Sequence, residues 1–101
     1  MSYANTEMDV IRWAEARKII PNAKPEIQLL KTVSELGELA DALIKGDRES
    51  IIDGIGDVGV TLIIVCALLD LDYTKCLEAA YKEIKHRKGT LLPNGTFVKD
   101  E

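Results

Sequence analysis

The chain has 101 residues, of which 47% are hydrophobic and 30% are charged, a composition typical of a soluble globular domain with a modest core. Its formal net charge of −4 argues against a general binder of nucleic acid or of membrane surfaces, because both roles require a basic face. The longest apolar run, Val58 to Leu69, is shorter than the roughly 20 residues of a membrane-spanning helix.

Four helices are predicted, each bounded by residues that are common at helix ends. Their expected ranges are Thr6–Ile20, Pro25–Lys45, Asp47–Leu69 and Asp72–Lys88. The expected N-caps are Thr6, Asp47 and Asp72, and the expected C-terminal caps are Gly46 and Gly89. Short loops between long helices predict a single domain over residues 1–101, folded as an all-α, four-helix antiparallel bundle.

The tail has a different pattern. Two short β-prone arms within Thr90–Val98 flank the turn signal Pro93-Asn-Gly95, which favours a hairpin or an extended arm.

The third predicted helix is apolar in nearly every direction, and a helix of that kind is buried all round. One chain of this size can hardly cover it, so we expect a homodimer or homotetramer that assembles through this helix. Gly54, Gly56 and Gly59 weaken the helix, and we expect them to allow close approach of another helix.

Two pairs of carboxylates are the candidate functional residues. Glu35 and Glu38 lie three residues apart, Asp53 and Asp57 lie four apart, and either spacing places a pair on one side of a helix. The first pair lies opposite an apolar stripe and alone would be a solvated face. The second pair lies in the apolar helix and needs a cation, a basic side chain or a helix N-terminus as its partner. A helix N-terminus explains Asp53 better than Asp57, and the pair together favours a metal ion.

These motifs resemble a known family. Glu-Leu-Gly-Glu-Leu-Ala-Asp-Ala over residues 35–42 and Ile-Gly-Asp-Val over residues 55–58 are similar to the all-α nucleoside triphosphate pyrophosphohydrolases, in particular to short MazG-like proteins of phages and bacteria. That family places Glu-x-x-Glu and Glu-x-x-Asp around Mg²⁺. Glu35, Glu38 and Asp57 match three of these acids, the third position falls at Gly54, and Asp53 stands one residue earlier as its replacement.

The resemblance implies Mg²⁺-dependent hydrolysis of an NTP or dNTP to a nucleoside monophosphate and pyrophosphate, with Mn²⁺ able to replace Mg²⁺. Glu35 or Glu38 would orient or deprotonate the attacking water, and all four acids would be metal ligands. The candidate phosphate contacts are Lys31, Lys82, Lys85, Arg87 and Lys88, for each of which a solvated surface role has equal weight. Where the family carries asparagine and lysine on the fourth helix, this chain has Lys82 and Glu83.

Two alternatives remain open. Gly54 and the Lys82-Glu83 pair favour a non-catalytic helical dimer that serves as an interaction or regulatory module. A pyrophosphohydrolase for another nucleotide, such as phosphoribosyl-ATP, shares the helical plan. Trp13 could stack on a nucleobase, but burial against the second helix is expected. Cys66 is expected to be a core residue rather than a disulfide partner, and the protein is expected to be cytoplasmic.

Overall fold

The computed structural model describes residues 2–100, which form five helices and a two-stranded antiparallel sheet. The helices are α1 (Tyr3–Ala16), α2 (Ile19–Asn22), α3 (Pro25–Lys45), α4 (Arg48–Leu68) and α5 (Tyr73–Ile84), and the strands are β1 (Gly89–Leu91) and β2 (Phe97–Lys99). The predicted all-α class with a C-terminal hairpin is confirmed.

The first helix begins and ends earlier than predicted. Its N-cap is Ser2, whose hydroxyl accepts a hydrogen bond from the amide of Asn5 at 3.2 Å, so the expectation that Thr6 caps the helix is wrong. The helix ends at Ala16 because Lys18 takes a left-handed conformation with φ 61°. The single turn of α2 follows, and its dihedral angles are non-helical at Ile20 and Pro21.

Helices α3 and α4 form an antiparallel hairpin that makes the most extensive contact in the fold. Gly46 ends α3 with φ 71° and donates its amide to the carbonyl of Ala42 at 2.9 Å. Asp47 occupies the N-cap position of α4, where its carboxylate accepts a hydrogen bond from the Ser50 hydroxyl at 2.8 Å. The predicted ranges of these two helices are confirmed to within about one residue.

The hairpin is held by small and polar side chains. The Thr32 hydroxyl donates to the Thr61 hydroxyl at 2.8 Å in a buried position between the helices, and Thr61 donates to the carbonyl of Val58. Gly54 is buried, and a Cβ on it would lie 3.2 Å from Cδ1 of Leu39. Close approach is therefore confirmed at Gly54.

Gly56 and Gly59 differ from Gly54, and for them close approach of another helix stays a prediction for a second copy. Among the described residues, a Cβ on either glycine would meet no heavy atom within 4 Å, the helix's own neighbouring backbone aside. These two positions therefore leave a smooth surface on α4 rather than a contact inside the chain.

The N-terminus of α5 is fixed by two carboxylates. Asp72 is the N-cap and accepts from the amides of Thr74 and Lys75. Glu7 of α1, which is buried, accepts from the Thr74 hydroxyl at 2.7 Å and from the Thr74 amide at 3.3 Å. Negative charge at this end complements the helix dipole. From Lys75 to Ile84 every side chain is exposed, so α5 is anchored only at its start.

The end of α5 differs from the prediction. The helix stops at Ile84 rather than near Lys88, and Gly89 begins β1 instead of capping the helix. A Cβ at Gly89 would collide with the carbonyl oxygen of Val98 and with the ring of Phe97. Close crossing of the two strands, rather than helix termination, therefore requires glycine there.

The predicted hairpin is present. Thr90 pairs with Val98 and Leu91 pairs with Phe97. The connecting turn contains Gly95 at φ 89°, and the amide of Leu92 donates to the carbonyl of Thr96 at 2.8 Å. Both strands are exposed along their length.

Helix α4 is long and apolar enough to cross a membrane by length and composition alone, with 21 residues and a mean hydropathy of 2.1 in its most apolar window. On sequence alone, only the apolar run from Val58 to Leu69 was compared with the length of a membrane-spanning helix, and α4 also includes the ten residues before Val58. Core helices of water-soluble proteins have the same length and composition, and here α4 packs along α3.

The Thr32–Thr61 hydrogen bond gives a test of the hairpin. Replacing Thr32 with valine removes the donor to Thr61 while keeping the side-chain shape, and it should lower the free energy of unfolding by about 1 kcal/mol. The Thr32→Val, Thr61→Val double variant should lose less than the sum of the two single changes. Urea denaturation of the four proteins measures this, and strict additivity would show that the two hydroxyls do not interact.

Candidate metal centre

The antiparallel register of α3 and α4 brings the two acidic pairs together. Glu38 of α3 and Asp53 and Asp57 of α4 line one cavity of about 350 Å³ near the α3–α4 turn. Asp41 lines the same cavity and is exposed. Three of the four predicted ligands therefore share one concave surface.

Glu35 lies at the inner edge of this group, between the two helices. It is half-buried, and within residues 2–100 no hydrogen-bond donor reaches its Oε2 atom, which is fully buried. Burial raises the pKa of Glu35 above its usual range, and the carboxylates of Glu38 and Asp57 raise it further. A buried oxygen without a donor calls for a cation or a proton.

Asp57 connects the two pairs. Burial raises its pKa, and the neighbouring Asp53 and Glu38 raise it further, while the ammonium group of Lys31 acts in the opposite direction. Asp57 thus interacts with acids on its own helix and on α3. The four carboxylates form one electrostatic unit, and Lys31 offsets only part of their mutual repulsion.

The four carboxylate side chains lie close together but do not point at one common position. Across residues 2–100, no group of three or more acidic, histidine or cysteine side chains is arranged tightly enough to hold a metal ion as it stands. Glu38, Asp53 and Asp57 nevertheless line one cavity, and Glu35 and Asp57 line the second cavity described below. Carboxylates that repel each other turn apart by side-chain rotation. Their ability to share a cation therefore depends on where the helix backbones hold the four residues, more than on the side-chain rotamers without a metal. Four hard oxygen donors and an unpaired buried Oε2 fit Mg²⁺ or Mn²⁺.

The surroundings of Gly54 explain why this chain has no acid at that position, where the resembled family carries one. Its Cα faces Leu39 across the helix pair, with an added Cβ at 3.2 Å from that side chain. A glutamate there would have to displace Leu39. Asp53, one residue earlier, is exposed and lines the acidic cavity instead.

The predicted phosphate contacts divide into two groups. Lys31 lines a second cavity of about 430 Å³ together with Glu35 and Asp57. Lys82, Lys85, Arg87 and Lys88 lie on α5 or just after it, and no α5 residue lines the cavities described here that hold the acids. The structure therefore brings Lys31 to the acids but does not bring the α5 cations there within one chain.

The second cavity includes Gln28, which the sequence did not identify as functional, and Trp13, for which burial was expected. Trp13 of α1 is 45% exposed, so the expected burial is wrong, and its ring forms one wall of the cavity. The guanidinium of Arg17 lies 4.4 Å from the centroid of that ring. Gln28 lines the same cavity, and its position one turn before Thr32 and two turns before Glu35 is a helical spacing that marks a shared face.

Comparison of the sequence and the structure with known proteins identifies the fold. No family model matches the sequence. Over 64 residues the chain is 31% identical to an uncharacterized 18.2 kDa protein in the rep-hol intergenic region of Haemophilus phage HP1, a match that covers 63% of this chain and 39% of the phage protein. The match therefore spans about two fifths of the phage protein's length.

A solved structure matches over the whole chain. It is a cyanophage S-2L MazG-like pyrophosphohydrolase bound to dGDP and three catalytic Mn²⁺ ions per active site. The TM-score is 0.68 with 22% sequence identity, and the superposition covers 100% of this chain and 99% of the cyanophage protein. The chain has the MazG-like all-α fold, as the resemblance in its acidic motifs implied.

The acidic face predicts a pH dependence in the presence of a chelator. A carboxyl whose pKa is higher in the folded than in the unfolded chain stabilises the fold while it is protonated, and that stability is lost as the pH rises through its folded pKa. Metal-free protein should therefore melt at a lower temperature at pH 7 than the Asp57→Asn variant does, and the difference should shrink toward pH 4. Thermal unfolding in EDTA measures this.

Glu49→Gln is the matched control, because Glu49 is an exposed acid on the same helix. Its melting temperature should follow that of the unmodified protein at both pH values. If Asp57→Asn were less stable than the unmodified protein at pH 7, the repulsion inferred among the four acids would be wrong.

Proposed function

We propose that this protein hydrolyses a nucleoside triphosphate, either an NTP or a dNTP, between its α and β phosphates with Mg²⁺ as cofactor and Mn²⁺ as a substitute. The observation that carries the proposal is the face of four carboxylates, in which Glu35 has a buried oxygen that no donor from residues 2–100 reaches. Such a face repels a triphosphate unless cations stand between them. The MazG-like fold, seen in a cyanophage enzyme bound to dGDP and Mn²⁺, supports the same chemistry.

Each acid has a proposed role. Glu38, Asp53 and Asp57 line the open cavity and would hold the divalent cations. Those cations would neutralise the triphosphate and lower the pKa of a bound water. Glu35, half-buried with a raised pKa, would accept the proton of the attacking water, a task for which a raised carboxyl pKa is suited. Glu38, its neighbour, would orient that water.

The nucleoside would occupy the second cavity. Its walls combine the half-exposed ring of Trp13, which offers a flat apolar surface, with the amide of Gln28, which both donates and accepts hydrogen bonds. Because Asp57 and Glu35 line this cavity too, a base held there would be next to the cation site. Lys31, between the base and the acids, would contact a phosphate.

Product analysis tests the reaction. We expect release of pyrophosphate and a nucleoside monophosphate from at least one member of a panel of NTPs, dNTPs and phosphoribosyl-ATP with Mg²⁺, and none with EDTA. Glu38→Gln and Asp57→Asn should each lower kcat/KM by roughly 100-fold, since each removes a proposed metal ligand. Glu49→Gln should retain full activity.

Two outcomes would decide against the proposal. Absence of pyrophosphate with every nucleotide, together with no metal-dependent rise in melting temperature, would favour the non-catalytic helical dimer. Full activity of both ligand variants would place the site elsewhere. Release from phosphoribosyl-ATP alone would keep the chemistry and change the substrate.

We further propose that the active protein is a homodimer or homotetramer. The chain exposes 7916 Å², whereas a compact monomer of 11.2 kDa exposes about 5,700 Å². Its radius of gyration is 16.1 Å, compared with about 13 Å for a compact 100-residue domain. An excess of about 2,200 Å² per chain is within the range that obligate subunit interfaces bury.

The surface that a second copy would cover is the apolar stripe of α3 and the exposed side of α4. The stripe faces away from α4, and its large side chains are about half exposed or more. They are Leu29, Leu30, Val33, Leu36, Leu43 and Ile44. Ile52 and Ile55 of α4 are 62% and 58% exposed. The amphipathic helix α5, with Leu77, Tyr81 and Ile84 uncovered, offers a complementary apolar face.

Docking α5 of one copy on a neighbour would also complete the site. Lys82, Lys85 and Arg87 do not line the acidic cavities of their own chain, and a second copy would bring them to the triphosphate. Sedimentation should therefore give a dimer or tetramer at micromolar concentration, and a monomer would contradict this proposal.

Subunit mixing tests the shared site. An Asp57→Asn chain and a Lys82→Ala, Lys85→Ala chain should each be nearly inactive, and mixing them after mild dissociation should restore about a quarter of the activity, because half the dimers are mixed and each has one intact site. No recovery, despite mixed dimers detected by mass spectrometry, would mean that each site belongs to one chain.

A further inference from the structure

The two cysteines stand on either side of the turn between α4 and α5. Cys66 lies two residues before the end of α4, and its carbonyl accepts a hydrogen bond from the amide of Leu71 at 2.8 Å. Cys76 lies one turn after the start of α5, and its amide donates to the carbonyl of Asp72 at 3.0 Å. Leu71 and Asp72 are consecutive, so the backbone of each cysteine is hydrogen-bonded to one of two adjacent residues of the connection.

The two cysteines are neighbours across this turn. Burial raises the pKa of Cys66 to about 11, and the largest further contribution comes from the thiol of Cys76. Both cysteines are free, Cys66 is half-buried and Cys76 is exposed. An exposed thiol beside a shielded one is the arrangement of an attacking cysteine and a resolving cysteine.

We propose that Cys66 and Cys76 form a reversible disulfide that fixes α5 against α4. The observation behind it is the juxtaposition of the two residues, each within one helical turn of a connection of four residues. Formation of this disulfide does not depend on the proposed hydrolytic activity. Only its consequence for the phosphate contacts of Lys82 and Lys85 rests on that proposed function. The sequence position of Cys66 in an apolar run favoured a core role, and the fold adds a partner.

The oxidation needs a disulfide donor, for which glutathione disulfide is a sufficient reagent. The Cys76 thiol loses its proton, and its sulfur attacks one sulfur of glutathione disulfide, which breaks that bond and releases one glutathione thiolate. The Cys66 sulfur, after losing its proton, attacks the Cys76 sulfur of the mixed disulfide and releases the second glutathione thiolate. Two protein thiols are oxidised by two electrons, and one glutathione disulfide is reduced to two thiols.

The bond would matter because α5 is weakly held. Its contacts are concentrated at Tyr73 and Thr74, and every side chain from Lys75 onward is exposed. A covalent link at Cys76 would fasten the helix one turn further along. That link limits the directions in which the cations of α5 and the β-hairpin can point.

The experiment treats the full-length chain with glutathione disulfide under non-denaturing conditions and follows it by intact mass. The unmodified protein should lose two hydrogens, remain one chain on a non-reducing gel and recover its original mass with dithiothreitol. Cys66→Ser should stop at an adduct of one glutathione on Cys76. Cys76→Ser should react at least tenfold more slowly, because the remaining thiol is shielded and protonated at neutral pH.

The oxidised protein should melt roughly 10 °C higher than the reduced protein, since a short loop is closed in the unfolded chain. Trypsin should cut at Lys82 and Lys85 at least tenfold more slowly after oxidation. Neither change should occur in the two serine variants. These readouts do not use hydrolysis, so their failure is separate from failure of the proposed function.

Three results would overturn the proposal. The unmodified protein could stop at a glutathione adduct, or link two chains instead of one. It could also form the intramolecular bond while its melting temperature and its rate of cleavage in α5 stay unchanged, which would show that α5 is not fixed by it.

Discussion

The close contact between α3 and α4 is the constraint on which the rest of this structure depends. Gly54 lies against Leu39, Thr32 is hydrogen-bonded to Thr61, and the two-residue connection after Lys45 leaves one antiparallel register. That register sets Glu35 and Glu38 opposite Asp53 and Asp57. The helices meet through small and polar side chains, so their interface accommodates acids that a fully apolar interface would exclude. The energetic cost of crowding four carboxylates is visible in the raised pKa values of Glu35 and Asp57.

The same packing leaves the apolar side of α3 without a partner in its own chain. In a self-sufficient bundle the leucine-rich stripe would face inward. Here the polar face of α3 meets α4, and the stripe remains exposed. The acidic face and the proposed assembly would therefore be two results of one arrangement: α4 covers the acidic side of α3, and a second copy would cover the apolar side. Helix α5 also leaves apolar surface exposed. Glu7 and Asp72 anchor its start, and its side chains beyond Thr74 are exposed.

Local sequence signals correctly predicted the ends of helices and turns that depend on a single capping or turn residue. Gly46, Asp72 and the Asn94-Gly95 turn do in the structure what their chemistry predicts. The expected end of the last helix was wrong because a distant contact decided it: Gly89 is required by the crossing of Phe97 and Val98, not by a helix end. The four acids could be identified from spacing and family resemblance, although their convergence could not, because it depends on the α3–α4 register. Gln28 was missed and Trp13 was expected to be buried for the same reason, since the cavity they line exists only once α1 packs against α4.

Direct measurement of metal binding tests the central claim, which is that the four carboxylates form one cation site. Titration of metal-free protein with Mn²⁺, followed by electron paramagnetic resonance of the free ion, gives the affinity without any assumption about the substrate. The account predicts saturable binding that weakens at least tenfold in Glu35→Gln, Glu38→Gln, Asp53→Asn and Asp57→Asn, and that is unchanged in Glu49→Gln. Equal affinity in all of these variants would contradict it.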